Sequence, residues 1–305
     1  MNPPEAVRPR RLRPGDLVAL VSPSGPLTPE QAAPAAQVLA RWGLRARHGR
    51  HALGRHTFLS GTDDERLTDL DAAFRDPEVR GILCLRGGYG TQRIVDRIDY
   101  DAVRADPKLV IGFSDITALH LALWCEARLA TVHGPVGAGL YEISAPAEET
   151  LRRTVMTGDP VIVTPEEDGV RFPGRASGTG RADGILLGGN LTLLAASAGT
   201  PHRPDTTGAI LLIEEVGEAA YRVDRSIVQL RRAGWFDGLA GVAVGRFTRC
   251  PGADQVLAEH LGALGVPVLG GLPIGHGGEQ TAVPLGVAAR LDAGAGTLTV
   301  QPAAR

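Results

Sequence analysis

Residues 109–123 read Leu-Val-Ile-Gly-Phe-Ser-Asp-Ile-Thr-Ala-Leu-His-Leu-Ala-Leu. Leu109–Phe113 is a buried-type strand, and Ile116, Leu119 and Leu123 follow at once with helical spacing. The same alternation extends outward. Upstream, Val79–Leu85 is a buried-type strand that runs into Arg86-Gly87-Gly88-Tyr89-Gly90. Thr62–Phe74 is a helix with Thr62 as N-cap and Glu65 completing a capping box. Thr28–Trp42 is a helix stopped by Gly43, and Asp16–Ser22 is a strand ended by Pro23-Ser24-Gly25. Downstream, Ala130–His133 closes the pattern. Buried strands alternating with amphipathic helices predict an α/β fold whose parallel sheet is covered on both faces.

From about residue 145 to 183 the chain is rich in breakers: Pro146, Gly158, Pro160, Pro165, Gly169, Pro173, Gly174, Gly178 and Gly180. This predicts a first domain over 1–145, a linker over 146–183 and a second domain over 184–305. The second domain has fewer helical signals. Ala209–Ile213 and Val242–Val244 read as strands, Tyr221–Arg232 and Gln255–Leu264 as helices, and Val287–Leu291 with Thr297–Val300 as a hairpin.

Composition narrows the function. The chain has 305 residues, is 43% hydrophobic and 22% charged, and carries a formal net charge of −2. That is enough apolar material for a large core, and no basic excess exists to hold nucleic acid or an anionic membrane. Cys84, Cys125 and Cys250 show no ligand spacing, so neither a disulfide framework nor a structural zinc site is expected. Lys108 is the one lysine, which leaves Schiff-base and P-loop chemistry to that residue alone. The first residues lack a signal peptide's apolar core, and no run approaches the roughly 20 apolar residues of a membrane span. A cytoplasmic protein is expected.

Two strand-to-turn-to-helix junctions could carry chemistry. Ser114 follows a strand and opens a helix, at the sheet edge where doubly wound proteins bind ligands. It resembles a nucleophile elbow, with Ile116 where the second glycine would stand. On spacing alone the plainer reading is that Ser114 or Asp115 is an N-cap. At the second junction, three glycines in Gly87–Gly90 allow close backbone approach and present N–H groups to an oxyanion, or simply make a tight turn. The pair Gly188-Gly189 before Asn190 is similarly open. A nucleophilic serine needs a base and an orienting acid. Among eight histidines, His48, His51, His56, His202 and His260 read as surface residues and His120 as part of the helix after Ser114. His133 follows a strand close to the junction, and His276 lies in a glycine-freed loop. Glu214 and Glu215 end the strand Ala209–Ile213 and are the candidate acids.

These segments together resemble the serine LD-carboxypeptidase family, which also contains the microcin C self-immunity peptidases. The resemblance spans nearly the whole chain. Its segments are Phe58–Asp63, Arg86–Gly90, Ile111–Thr117, Gly188–Leu191, Ile213–Glu215, Tyr221–Arg225 and Gly275–Gly277. It implies a flavodoxin-like first domain and a smaller β-rich domain of the swivelling type. It implies a Ser–Glu–His trio on Ser114, Glu214 and His276, set in the cleft between domains, with Glu214 favoured over Glu215.

The activity this resemblance implies is acyl transfer to water, removing the terminal D-alanine of a cytoplasmic murein tetrapeptide. The oxyanion is then expected on the backbone N–H groups of Gly88 and Asp115. Arg86 and Gly87 are candidates for binding substrate, Arg86 through its terminal carboxylate. No metal or cofactor is implied; the resemblance implies a homodimer. The alternative within the family is an immunity-type peptidase that cleaves aminoacyl-nucleotide amides. That branch calls for an aromatic wall, and the stretch after Pro165 holds only Phe172. A non-catalytic phosphate-binding module would use the Gly87–Gly90 loop but would leave the trio without a purpose.

Overall fold

The computed structural model describes residues 6–141, 143–166 and 180–305. Phe172, Gly169, Pro173, Gly174 and Gly178 lie outside the described residues. The first sheet gathers β1 (Leu17–Val21), β2 (Arg45–His48), β3 (Val79–Cys84), β4 (Leu109–Gly112) and β5 (Thr131–His133). Their order, β2-β1-β3-β4-β5, is that of a flavodoxin-like doubly wound sheet, and every pairing among them is parallel. The order reverses between β1 and β3, so the turns after these strands flank a crevice at the carboxyl edge.

Local chemistry explains the connecting helices. Pro29–Arg41 begins with a full capping box between Thr28 and Gln31, and Asp63–Arg75 with one between Thr62 and Glu65. The helix Thr117–Ala127 behaves differently. Nine of its eleven residues are buried, so it is apolar all round rather than amphipathic. One side packs on the first sheet through Leu119 and Leu123. The other packs on the second sheet through Leu121 and Trp124.

The second sheet gathers β6 (Val161–Val163), β7 (Arg181–Asn190), β8 (Ile210–Val216), β9 (Gly241–Thr248) and β10 (Val268–Leu269). After β11 (Val283–Leu285), which is described below, β12 (Ala288–Asp292) and β13 (Thr297–Val300) complete it. The order is β10-β9-β8-β7-β12-β13-β6. Strands β7 to β10 are parallel, while β12, β13 and β6 add an antiparallel extension that includes the expected hairpin. Helices Leu191–Ala196, Ala220–Arg232 and Ala253–Gly262 cover it.

Two features depart from the simplest division of the chain. Ala145–Met156 is a helix capped by Ser144, and β6 joins the far edge of the second sheet, so the span expected as linker contributes to packing. Strand β11 leaves the second half and pairs antiparallel with β5, which ties the two sheets together. One core cluster accordingly runs from Leu20, Leu83 and Ile111 to Leu186, Ile210 and Leu212. No helix among the described residues is long and apolar enough to cross a membrane.

Candidate active site

Ser114 follows β4 with φ of +64°, a left-handed conformation rare for a residue with a side chain. Neither it nor Asp115 caps the following helix, so the N-cap reading gives way. Asp115 is buried and accepts hydrogen bonds from Ser24 Oγ at 2.6 Å and from the Thr91 N–H at 2.9 Å. Its side chain therefore pins the turns after β1 and β3 around the serine. Ser24 and Thr91 escaped the sequence reading; only the position of Ser24 in a Ser-Pro-Ser-Gly turn hinted at them.

The glycine turn after β3 lies against Ser114. A β-carbon at Gly87 would stand 2.9 Å from Ser114 Cβ and 3.1 Å from its Oγ. The Gly87 carbonyl accepts from the Gly25 N–H at 3.1 Å. Next to it Gly88 takes φ of +110°, and no hydrogen bond occupies its N–H among the described residues. The exposed Arg86 donates through Nη1 to the Pro26 carbonyl, which leaves its other donors at the rim.

The second half delivers an acid and an imidazole. Glu214 on β8 is fully buried, and its Oε2 lies 2.8 Å from His276 Nδ1. The same oxygen accepts the His276 backbone N–H at 3.3 Å. Glu215 points elsewhere. It accepts from Asn190 Nδ2, the Thr192 N–H, Thr192 Oγ1 and the Val216 N–H at 2.7–2.9 Å. A carboxylate with that many donors is a structural clamp.

His276 keeps 21% of its side-chain surface exposed and lies against Phe113, ring centroids 4.7 Å apart. That brings an imidazole already held by a carboxylate to the residue before Ser114. Glu214 and His276 are thus hydrogen-bonded to each other, while Ser114 is half-buried and its hydroxyl has no hydrogen-bond partner among the described residues.

The two halves meet through a polar seam. Thr117 Oγ1 accepts the Asn190 N–H at 3.0 Å, and a β-carbon at Gly189 would press into the Thr117 side chain. The Gly188-Gly189-Asn190 junction is thus a contact between halves, and Asn190 caps the short helix after it. Burial lowers the pKa of His133 to about 3, with His120 and His276 adding to the effect. Burial also lowers that of His120 to about 4, partly opposed by its bond to the Gly112 carbonyl. Burial pushes up all three thiols, Cys84, Cys125 and Cys250, so no thiolate competes as nucleophile near neutral pH.

Other expectations change. His260 is buried between Arg231, which donates to its Nδ1 at 2.7 Å, and Asp224, at 2.6 Å from its Nε2. His202 is buried close to Asp96 and Glu126. Both read as surface residues because their partners are remote in sequence. Lys108 is buried and donates to the Asp76 carbonyl and to Asp106 at the start of β4, away from the carboxyl edge. A cavity of about 1010 Å³ opens at the opposite end of β7 and β8, lined in part by Trp124, Arg128, Asp183 and Arg290, and holds none of the trio.

Comparison with known proteins agrees with this architecture. The model of the LD-carboxypeptidase N-terminal domain matches residues 18–134, and that of the C-terminal domain matches 183–291. The chain belongs to the LD-carboxypeptidase family. A Streptomyces coelicolor relative is 46% identical over 305 residues, covering 97% of this chain and 96% of its own. The murein tetrapeptide carboxypeptidase of Pseudomonas aeruginosa is 34% identical over 287 residues, covering 90% and 92%. Among solved structures, the muramoyltetrapeptide carboxypeptidase from Oxalobacter formigenes superposes with a TM-score of 0.80 at 27% identity, covering 93% and 97%. MccF in complex with glutamyl sulfamoyl guanosine superposes with a TM-score of 0.86 at 23% identity, covering 96% and 98%, which speaks to the fold. This LD-carboxypeptidase family member is a carboxypeptidase with a mixed α/β fold of two sheets.

Proposed function

We propose that this carboxypeptidase is a serine enzyme that removes the terminal D-alanine from murein tetrapeptides through Ser114, His276 and Glu214. The observation that carries the reading is the 2.8 Å bond from Glu214 Oε2 to His276 Nδ1, made beside the strained turn that bears Ser114. The relatives named for murein and muramoyl tetrapeptides supply the substrate class.

The proposed steps use that bond and the turn beside it. His276 Nε2 takes the Ser114 proton as Oγ attacks the scissile carbonyl, and Glu214 fixes the tautomer and stabilises the imidazolium. Charge on the tetrahedral oxygen is met by the N–H groups of Gly88 and Asp115, the first beside Gly87 and the second at the start of a helical turn. His276 returns the proton to the leaving amine of D-alanine. Water, activated by the same imidazole, then hydrolyses the acyl-enzyme. Arg86, with donors left at the rim, suits the terminal carboxylate of the peptide. A cytoplasmic location, expected from the polar first residues, and a homodimeric state, implied by family resemblance, belong to the proposal.

The test is stereochemical. With the carboxylate anchored, an L-residue would direct its methyl group into the wall that D-alanine clears. A clash of about 3 kcal/mol corresponds to at least roughly 100-fold preference in kcat/KM for terminal D-Ala over L-Ala. Amidation of the terminal carboxylate should be comparably harmful. Equal cleavage of D-, L- and amidated peptides, with turnover of an aminoacyl sulfamoyl nucleotide, would favour the immunity-type amidase instead.

A further inference from the structure

Glu214 has two carboxylate oxygens, and only one is spoken for. Oε2 holds His276, whereas Oε1 is buried without a hydrogen-bond partner among the described residues. An ionised oxygen without a donor in a dry site is costly. His133 faces it, with Nε2 3.9 Å from Oε1 and neither side chain exposed to solvent. Both ring nitrogens of His133 also lack partners. Two orphaned polar groups thus meet across a gap slightly too long for a hydrogen bond.

The fold places His133 there for a reason. It is the last residue of β5 and pairs in register with Gly112, two residues before Ser114. The Phe113 ring lies close to both imidazoles, in a T-shaped arrangement with His133 at 5.8 Å and tilted to His276 at 4.7 Å between centroids. The titratable groups around His133 are His120 (ring centroids 6.5 Å apart), Glu214 and His276.

We propose that His133, as a neutral imidazole donating Nε2–H toward Glu214 Oε1, is a positioning residue that extends the trio to a chain Ser114–His276–Glu214–His133, an inference that rests on the serine reading above. Neutrality is essential to the role. A cationic His133 would compete with the His276 imidazolium for the Glu214 charge, and burial keeps its pKa near 3. A neutral donor instead orients the carboxylate and leaves its full charge for His276. Closing the gap needs less than 1 Å of movement, of the kind by which catalytic hydrogen bonds tighten when substrate binds.

Three variants and one spectrum test this. His133→Phe keeps the ring and removes the donor; His133→Gln restores an amide donor near the Nε2 position. The Phe variant is expected to lower kcat about 10- to 100-fold with KM changed less than about two-fold. The Gln variant should recover most of that loss. Wild-type kcat in His133→Phe, with Glu214→Gln inactive, would overturn the role of His133 and leave the trio standing. Full activity in Glu214→Gln would overturn the trio and this inference together. Nitrogen-15 NMR of the unsubstituted protein settles the case if the Phe variant does not fold. A neutral Nε2–H ring from about pH 5 to 8 is expected, and a neutral Nδ1–H ring or a charged one would contradict the proposal.

Discussion

Gly275 and the Glu214 side chain compete for the same space. A β-carbon on Gly275 would lie 2.8 Å from both Cβ and Cγ of Glu214, and Gly275 takes φ of +101°. The residue before the imidazole therefore has to be glycine if the carboxylate is to reach His276. We expect Gly275→Ala to lower kcat/KM by about 100-fold or more, because a small displacement of a relay is felt strongly. Thermal unfolding should show a loss of about 1–3 kcal/mol from the strained backbone. An Ala variant with normal turnover would mean that the Glu214–His276 bond is not needed.

The two adjacent acids should separate cleanly. Glu214→Gln is expected to lower kcat by about 10²- to 10⁴-fold while leaving the melting temperature nearly unchanged. Glu215→Ala should instead destabilise by about 2–4 kcal/mol, since four donors lose their acceptor. Parallel kinetics and calorimetry on both variants check the assignment. The opposite pattern would hand the catalytic role to Glu215.

The two buried imidazoles make stability depend on acid. In the unfolded chain a histidine titrates near ~6.5, whereas His133 and His120 are held down to about 3 and about 4. Between those values the unfolded state binds more protons, so stability is complete above pH ~6.5 and declines as pH falls toward ~4. At pH 5 each ring should cost about 2 kcal/mol relative to neutral pH. Urea unfolding at the two pH values measures this, and His133→Phe should remove about half of the difference. A pH-independent midpoint would show that these rings take up protons in the fold as readily as in the unfolded chain, so that burial does not lower their pKa.

Gly87 sets the distance between the glycine turn and Ser114. Gly87→Ala should displace the Ser114 side chain, given the 2.9 Å approach of the added carbon. Turnover is expected to drop about 100-fold or more, with the far-ultraviolet circular dichroism unchanged. Normal kinetics in this variant would show that the turn can retreat without disturbing the serine.

Much of the candidate site is legible in the chain because its signals are local. Ser114 stands where a buried strand runs directly into apolar helical spacing, and the order of strands and helices predicts the parallel sheet. What escaped depended on partners far away in sequence. Glu214 and Glu215 are indistinguishable as letters; only the donors around Asn190 and Thr192 show which one is committed elsewhere. His202 and His260 look like surface residues until the acids and the arginine that surround them are seen. The pair Gly188-Gly189 is open to two readings in the chain, and the close approach to Leu212 and Thr117 that decides between them involves residues far away in sequence. Pro146 reads as a breaker, yet it stands in the first turn of a helix capped by Ser144, where its missing N–H costs nothing.

Release of D-alanine from a murein tetrapeptide by the wild-type and Ser114→Ala proteins tests most directly whether Ser114 is the nucleophile. The alanine variant is expected to fold normally and lose about 10³-fold or more in kcat, with a serine-directed phosphonate labelling only the wild type, at Ser114. Near-normal D-alanine release by Ser114→Ala would contradict that role.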